Sequence, residues 1–507
     1  MTDNTSKNVT IAKNSFFLFA RTFISIIVTL YTSRVFLNQL GVEDYGIYNL
    51  VGGVVALFGV LTSFMTGATQ RFLSVKIGEN DVNGLNKIFN ISITLHLLLA
   101  LVFLVFGEII GIIMISFFLK VPEGKEFVTQ VVFHISLFTS VVTLVKTPYA
   151  GLIIARERMS FYAYLSILEV VLKLIITLML ILFTQKLIAY SFLFLLTTVL
   201  VTYIHIYYCS SRINAPRYKY YHPHNNPEYK EMLGFSGWTF IGNTAAAIRD
   251  QGSTFLLNIF FGVLLNAAMG IVNQVAGVFT SLFINVQSAF RPQIIQCSVN
   301  DIRRYNRLLS LCTFYTIILM GFICAPMIVA CNTILSLWLG LVPDYSVLLV
   351  QLIMFRVFFS AVSQCVGISL EAYADIKTSM IFSVILACVC LGVMWLFFFW
   401  GVNPSWAIII LTLTEFGILL YRLLYASKTG YIQLKDFVSY NWKAFFVVLL
   451  FMILAMCLSS IADGYFYSFL FMLVLTLTYC LIAYLLMESS QRELLKQRIQ
   501  KFISNVN

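Results

Sequence analysis

The sequence predicts an all-α polytopic membrane protein, and three observations support this fold class. Of the 507 residues, 60% are hydrophobic and only 11% are charged, whereas a soluble domain carries about 25% charged residues. Apolar runs of about 20 residues recur throughout, and each is long enough to cross about 30 Å of hydrocarbon as a helix. Alternating ten-residue segments, which are typical of an outer-membrane barrel, do not occur. An open sheet is excluded because lipid offers no partners to unpaired backbone groups.

Fourteen transmembrane helices are predicted from these runs. The first follows a polar segment and is too long for the core of a signal peptide, so we expect it to be retained. The predicted spans are Ser15–Leu37, Tyr45–Thr69, Ile88–Leu119, Phe127–Ala150, Phe161–Phe183, Leu187–Tyr208, Leu233–Phe261, Leu265–Phe290, Leu308–Ala330, Val347–Ala372, Ser379–Trp400, Ala407–Tyr425, Phe445–Ile461 and Phe466–Met487.

The distribution of basic residues predicts the orientation of these spans. Arg34 and Arg422 lie three residues from the end of a span and are counted with the adjoining segments. Of the 33 Lys and Arg residues, 24 then fall in segments on one side, 4 on the other and 5 within spans. The richer side is expected to be cytoplasmic, so both termini are predicted to be cytoplasmic, in a bacterial inner membrane. The net charge of +11 then follows from topology, and we expect no nucleic-acid partner.

A polar linker at residues 210–231 divides the chain into two similar parts. Residues 46–54 resemble residues 270–278, and the pair Asn80-Asp81 recurs as Asn300-Asp301. We therefore predict two pseudo-symmetric six-helix lobes, residues 1–209 and 232–430, followed by two extra transmembrane helices and a cytoplasmic tail at 431–507. Such parallel repeats commonly hold substrate between the halves. His222 and His224 of the linker have no further ligands nearby, so a solvated linker is expected there rather than a metal site.

Several spans carry polar stripes at helical spacing. Asn49 lies in the second span and Asn243 in the seventh, and in the eighth span polar residues recur seven positions apart, at Asn266, Asn273, Thr280 and Gln287. A polar stripe that faces lipid is costly, so we expect these faces to contact each other or water and to bind substrate. Close packing of helices through small and polar residues is the alternative.

Three arginines, Arg21, Arg249 and Arg356, are predicted to lie inside the membrane. A wet, cationic cavity that binds an anion would explain all three, and the guanidinium group suits phosphate because it donates two parallel hydrogen bonds. The alternative is that they pair with carbonyls or carboxylates during helix packing.

The remaining deep ionisable residues are candidates for ion coupling. Lys173 follows Glu169 by one helical turn, so these two are expected to pair. Lys146, near a span end, is expected to reach the interface. Asp250 and Glu415 would either carry a coupling ion, H⁺ or Na⁺, or serve as partners of the arginines. Arg249 and Asp250 are adjacent, and adjacent helical side chains point about 100° apart, so no local pair is expected between them.

The sequence contains no pattern typical of an enzyme. Paired loop carboxylates, a nucleophile with a neighbouring base and a phosphate-binding glycine loop do not occur. The 10 cysteines are scattered through apolar segments and show no metal-binding spacing. We therefore expect a transport protein with no cofactor and no metal.

Two stretches of the chain resemble a known family. Asn14-Ser15 opens the first span, and the run from Arg34 to Tyr48, RVFLNQLGVEDYGIY, follows it. This run is similar to the start of the Wzx-type polysaccharide flippases, which belong to the multidrug/oligosaccharidyl-lipid/polysaccharide (MOP) exporter superfamily. Asp250, followed by Phe261-Gly262 and Gly270-Ile271, resembles the second-lobe motif of that family.

The resemblance implies a MATE-like fold and a flippase function. The implied substrate is an undecaprenyl-diphosphate-linked oligosaccharide, moved from the inner to the outer leaflet by alternating access during assembly of O-antigen, capsule or exopolysaccharide. The implied partners are the lipid bilayer, a polysaccharide polymerase and other assembly proteins, with the flippase itself a monomer. Three alternatives remain: a peptidoglycan lipid-precursor flippase, a cation-coupled multidrug exporter of the same superfamily, and a non-transporting scaffold.

Overall fold

The computed structural model is helical, and no β-strand occurs in the residues that it describes. Those residues are 2–156, 158–222, 226–235, 237–373, 377–462, 464–487 and 492–493, with side chains described for most of them. The helices are α1 (Thr2–Gly78), α2 (Val82–Ile113), α3 (Glu126–Ala155), α4 (Met159–Met179), α5 (Lys186–Arg212), α6 (Glu228–Phe235), α7 (Gly237–Phe261), α8 (Val263–Asn300), α9 (Ile302–Val329), α10 (Cys331–Leu339), α11 (Ser346–Ala372), α12 (Lys377–Phe399), α13 (Trp406–Lys428), α14 (Leu434–Ser459) and α15 (Tyr465–Leu486). A π-helical segment, Met114–Phe118, extends α2, and a 3₁₀ turn, Leu180–Leu182, extends α4.

Eleven of the described helical segments are long and apolar enough to cross a membrane. Many large apolar side chains point outward from them, for example Phe106, Leu424 and Leu481, which are more than half exposed. Such surfaces are unfavourable in water but match hydrocarbon. The predicted all-α, multi-pass membrane class is confirmed, while the count of fourteen spans stays a prediction.

The first two predicted spans share one helical assignment, α1, with a kink at Gly41. The backbone there has φ 79° and ψ 172°, which is essentially accessible only to glycine. Residues 38–44, which separate the first two predicted spans, are therefore helical on both sides of this single residue. Glycine makes this possible because it has no β-carbon.

Two Asn-Asp pairs of the internal repeat have the same structural role. Asp81 precedes α2 and accepts a hydrogen bond from the Gly84 backbone N–H at 2.8 Å. Asp301 precedes α9 and accepts one from the Arg304 N–H at 3.0 Å. Each carboxylate thus caps the free amides of a helix N-terminus, and the two halves of the chain use the same residue at matching places.

Two short helices, α6 and α10, are not spans of their own. The predicted linker contains the start of α6, and the predicted seventh span contains its end. No helix was predicted for α10, whose nine residues are too few to cross a bilayer. Because α5 continues to Arg212 and α6 begins at Glu228, both ends of the predicted linker, residues 210–231, are helical.

The chain forms two compact units. The first comprises residues 1–270, 338–344 and 383–404, and the second comprises residues 271–337, 345–382 and 405–507. In the first unit, α1, α2, α3 and α5 surround a core that includes Ile47, Leu50, Phe103 and Phe133, all at most 1% exposed. The predicted lobe boundaries at residues 210 and 231 stay a prediction.

In the second unit, the two helices that follow the predicted repeat pack on α9. Gly321 of α9 lies against the phenol of Tyr479 and the side chain of Val448, so that a β-carbon at Gly321 would collide with both. The Tyr479 hydroxyl donates a hydrogen bond to the Ile318 carbonyl at 2.9 Å. A glycine on one helix thus creates the space that a tyrosine of α15 fills.

Candidate substrate-binding and coupling residues

Arg249 and Asp250 lie next to each other on α7 and form an ion pair. Arg249 is 5% exposed, and its Nε lies 3.1 Å from Oδ1 of Asp250, whose side chain is 39% exposed. The sequence-based expectation that they would not pair is wrong. The two Cβ directions do diverge, but the long arginine side chain folds back along the helix and brings Nε to the carboxylate.

The helix α1 packs closely against α7 and the start of α8. A β-carbon on Gly46 would lie 2.5 Å from the Val263 carbonyl oxygen, and one on Gly53 would lie 2.7 Å from the Gln251 side-chain oxygen. Gly270 lies directly against the amide of Asn49. These contacts leave no room for a side chain at the glycines, so the glycines set the distance between the helices.

The Asn49 amide is used within its own helix. Its Nδ2 donates to the Tyr45 carbonyl at 2.8 Å, and the residue is half-buried. Asn49 thus has a packing contact with Gly270 and a local hydrogen bond, and its role in substrate binding stays a prediction.

A buried amide network that the sequence analysis missed lies at the predicted outer end of the first unit. Asn258 is fully buried; its Oδ1 accepts from the Lys120 backbone N–H at 2.7 Å, and its Nδ2 donates to the Lys120 carbonyl at 3.1 Å. Asn258 also donates to Oδ1 of the fully buried Asn266 at 3.1 Å. The sequence signal for Asn258 is only that an asparagine stands in an apolar part of the predicted seventh span.

The polar residues that recur seven positions apart on α8 lie in different environments. Asn266 is fully buried and Asn273 is exposed. Gln287 is 6% exposed, and its Nε2 donates to the Ala361 carbonyl at 2.9 Å and contacts the Cys365 sulfur at 3.2 Å. Gln287 thus joins α8 to α11, and Asn273 alone of these three residues presents its amide to the surroundings.

Arg356 of α11 pairs with Glu415 of α13 in the second unit. Arg356 Nη2 lies 3.8 Å from Glu415 Oε1, with side-chain exposures of 14% and 10%. The sequence left open whether Glu415 carries an ion or neutralises an arginine, and the structure gives it an arginine neighbour. The pairing crosses between two helices, so no local spacing indicated it.

The predicted pair between Glu169 and Lys173 does not form. Glu169 of α4 instead lies 3.2 Å from Nζ of Lys146 on α3. The Lys173 ammonium lies 5.2 Å from the centre of the Phe194 ring on α5, a distance typical of a cation–π contact. The neighbouring helices offer each group a better-placed partner than the next turn of its own helix.

A second ionisable pair within apolar helices was also missed. His134 Nδ1 on α3 lies 2.7 Å from Glu108 Oε2 on α2, with side-chain exposures of 45% and 33%. The two residues are far apart in sequence, so only the antiparallel packing of α2 and α3 brings them together.

Two predicted site residues, Arg21 and Asn243, have side chains outside the described residues. Within the described part of the chain, no group of three or more His, Cys, Asp or Glu side chains is arranged to hold a metal ion. His222 of the linker is exposed, while His224 lies outside the described residues.

Comparisons with known proteins identify the fold. No model of a known protein family matches the chain, and no curated protein matches it. The structure is similar to that of the lipid II flippase MurJ in an inward closed conformation, with a TM-score of 0.68, 16% identity, and coverage of 92% of this chain and 98% of that chain. It is also similar to an inward-facing multidrug resistance MATE family transporter of the MOP superfamily, with a TM-score of 0.64, 12% identity, and coverage of 82% and 99%.

A third similar structure is a MOP superfamily transporter from Pyrococcus furiosus, whose description notes a reversed polarity of its binding pocket. The TM-score is 0.62 at 12% identity, with coverage of 82% of this chain and 95% of that chain. All three similar proteins are transporters. The chain therefore has the fold of the MOP-superfamily transporters, a fold shared by a lipid flippase and multidrug exporters.

Proposed function

We propose that this protein is a flippase that moves an undecaprenyl-diphosphate-linked oligosaccharide from the inner to the outer leaflet of a bacterial cytoplasmic membrane. Movement would occur by alternating access between the two predicted lobes, in support of surface polysaccharide assembly. No nucleotide-binding motif occurs in the sequence, so an ion gradient of H⁺ or Na⁺ would drive the cycle. Asp250, Glu415, Glu169 and Lys173 are the proposed coupling residues.

The observation that carries the proposal is the burial of Arg249 within α7, the predicted seventh span. A cation in such a position is unfavourable by about 2.5–3.5 kcal/mol on insertion scales unless it is paired or wet. Arg249 is 5% exposed and lies beside the carboxylate of Asp250, whose side chain is 39% exposed. A partly open arginine–aspartate pair supports a site where a phosphate competes for the guanidinium and displaces the carboxylate.

The overall charge of the transmembrane segments also favours an anionic substrate. Five basic residues lie more than three residues from the ends of the predicted spans, namely Arg21, Lys146, Lys173, Arg249 and Arg356, against four acids, Glu108, Glu169, Asp250 and Glu415. A positive excess in a low-dielectric region attracts anions and repels cations. This favours a lipid diphosphate over the organic cations that a drug exporter would carry.

The structural similarities are consistent with a flippase and with an exporter. The comparison with the lipid II flippase covers 92% of this chain, and the comparison with the multidrug transporter covers 82%. The similarity to the lipid II flippase supports a second candidate function, a flippase for the peptidoglycan lipid precursor.

The test is transport in proteoliposomes of defined composition. The substrates are a fluorescent undecaprenyl-diphosphate oligosaccharide, lipid II and a fluorescent organic cation, each offered to the wild type, Arg249→Gln and Arg249→Lys. Arg303→Gln is the matched control, since Arg303 is an exposed arginine just after the start of α9. We expect transport of the oligosaccharide lipid by the wild type and the control, a loss of at least about tenfold in Arg249→Gln, and partial retention in Arg249→Lys.

Each outcome separates one interpretation from the others. Transport of lipid II alone would favour the peptidoglycan precursor flippase, and transport of the cation alone would favour the exporter. Normal transport by a folded Arg249→Gln protein would show that Arg249 serves packing and that the proposed site is wrong.

A further inference from the structure

A cavity of about 530 Å³ lies in the first unit where α2 begins and where α3 and α5 end. Its volume is in the range of pockets that bind small molecules. Three arginines from separate segments line it: Arg156 after α3, Arg158 before α4 and Arg212 at the end of α5. By the distribution of Lys and Arg, all three segments lie on the predicted cytoplasmic side.

The linker forms one wall of this cavity and is held in place. Asn214 adopts a left-handed conformation, φ 53°, which asparagine tolerates better than most residues. The chain then turns back, so that the Ala215 N–H donates to the Cys209 carbonyl at 2.9 Å. Further along, the Lys219 N–H donates to Oδ1 of Asn90 on α2 at 2.9 Å. The wall is therefore tied to α5 at one end and to α2 at the other.

The floor of the cavity is apolar and well packed. Leu85, Phe89 and Leu152 line it and are 6%, 1% and 2% exposed. The polar lining residues are Asn86, Asn214 and the three arginines, and the arginines are exposed. An apolar floor lowers the local dielectric, which strengthens the interaction between the arginines and any anion that enters.

The charge of the cavity is unbalanced among the described residues. None of the side chains of Arg156, Arg158 and Arg212 makes an ion pair or hydrogen bond with another described residue. Nearby lysines differ: Lys76 lies 2.8 Å from Glu79, and Lys87 lies 2.5 Å from Glu228. Glu157 lies outside the described residues. Three guanidinium groups that face one cavity repel one another, so an anion between them would relieve an unfavourable interaction.

We propose that this cavity binds a phosphate or diphosphate group at the cytoplasmic side of the first unit. Arginine is suited to phosphate because its planar fork donates paired hydrogen bonds. The group could belong to the headgroup of an anionic lipid, since basic pockets between helices on the cytoplasmic side bind such headgroups, or to a soluble phosphate compound. The site is separate from Arg249 and Arg356 and does not depend on the proposed transport function.

The experiment measures binding to the purified full chain in detergent. One arm titrates inorganic pyrophosphate by calorimetry, and the other follows short-chain phosphatidic acid by native mass spectrometry, with phosphatidylcholine as a neutral comparison. The variant is Arg156→Gln/Arg158→Gln/Arg212→Gln. The matched control is Arg303→Gln/Arg304→Gln/Arg307→Gln, which removes the same charge from exposed positions of α9. Retained size-exclusion and thermal-unfolding profiles establish that each variant is folded.

We expect the triple cavity variant to lose at least about tenfold in affinity for the probe that binds, and the α9 control to stay within about twofold. Binding of phosphatidic acid but not pyrophosphate would identify a lipid headgroup site, and the reverse would identify a soluble ligand. Absence of binding in both arms, or an equal loss in the two triple variants, would overturn the proposal. If the triple variant does not fold, the same binding measurements are made on the single charge-retaining variants Arg156→Lys and Arg212→Lys. Loss of affinity in these variants would support a site in which arginine donates paired hydrogen bonds, whereas unchanged affinity would show that the arginines act only as a diffuse basic surface.

Discussion

Arg356 and Glu415 form a pair between α11 and α13, with 3.8 Å between Nη2 and Oε1 and at most 14% of either side chain exposed. At this distance and burial, each charge contributes to the compensation of the other. The pair is therefore the place where a packing role and a substrate-binding role for a deep arginine can be separated experimentally.

Removal of one partner of this pair should destabilise the protein more than removal of both. Arg356→Gln or Glu415→Gln alone should lower the free energy of unfolding by about 3–5 kcal/mol, because the other charge stays buried without this partner. The double variant should recover a large part of that loss. Thermal unfolding in detergent checks this through a double-mutant cycle, and strictly additive losses would show that the two side chains do not interact.

Alanine at Gly46 should be destabilising, although alanine favours helices. Its β-carbon would lie 2.5 Å from the Val263 carbonyl oxygen, which belongs to backbone and cannot rotate away. We expect the free energy of unfolding to fall by about 1–3 kcal/mol, as in other overpacked cores. The matched control is Gly277→Ala on α8, where a β-carbon would meet nothing within 4 Å and where we expect a gain of about 0.5–1 kcal/mol. Equal unfolding temperatures for the two variants would contradict close contact of α1 with α8.

Asn258→Leu should increase local opening of the backbone around Lys120. The substitution keeps the size of the side chain but removes the partner of both the Lys120 N–H and its carbonyl, each of which then costs about 1–3 kcal/mol if it stays buried. Hydrogen–deuterium exchange should show faster exchange of the Lys120 amide than in the wild type. Asn273→Leu, the same change at an exposed position of α8, should leave that rate unaltered; protection of Lys120 in Asn258→Leu would disprove the network.

Acid should weaken the attachment of α6 to α2. Burial raises the pKa of Glu228, but the hydrogen bond from Lys87 and the charges of Lys87 and Lys76 outweigh it, so that the pKa is lowered overall. A carboxyl with a lowered pKa stabilises the fold while it is ionised. Its contribution is therefore complete above about pH 4.3, the ordinary value for Glu, and is lost as the pH falls below that value through the lowered pKa.

The expected size of this effect is at most about 1 kcal/mol, because the pair is partly exposed. Glu228→Gln should remove it and flatten the acid limb of a plot of unfolding midpoint against pH. Glu231→Gln, an exposed glutamate of the same short helix, serves as the control. An acid limb that is the same in Glu228→Gln and in the wild type would show that the Lys87 contact does not contribute.

The sequence predicted the fold class because hydropathy and the asymmetry of Lys and Arg act over whole helices. It did not predict which charges meet. Glu169 was assigned to Lys173 on the next turn but lies beside Lys146 of another helix, and Glu108 was not connected to His134 at all. Local spacing describes one helix, whereas these pairs depend on the rotation of each helix about its axis, which many packing contacts determine together.

The arginine-lined cavity was overlooked for a related reason. Arg156, Arg158 and Arg212 were each counted as ordinary cytoplasmic charges, and each satisfies the positive-inside rule without any further function. Only the convergence of three separate helix ends showed that they share one cavity. A rule that explains residues one at a time cannot reveal that they act together.

The contact between Tyr479 and Gly321 can form only late in synthesis of the chain. The tyrosine hydroxyl binds a carbonyl 161 residues earlier in the chain. At about 5–20 residues per second, α9 therefore waits on the order of 10–30 s after its own translation before α15 exists to cover it. During that interval the space beside Gly321 is open to lipid or to another part of the nascent chain. Insertion of α14 and α15 then completes the packing of α9, a helix made long before them.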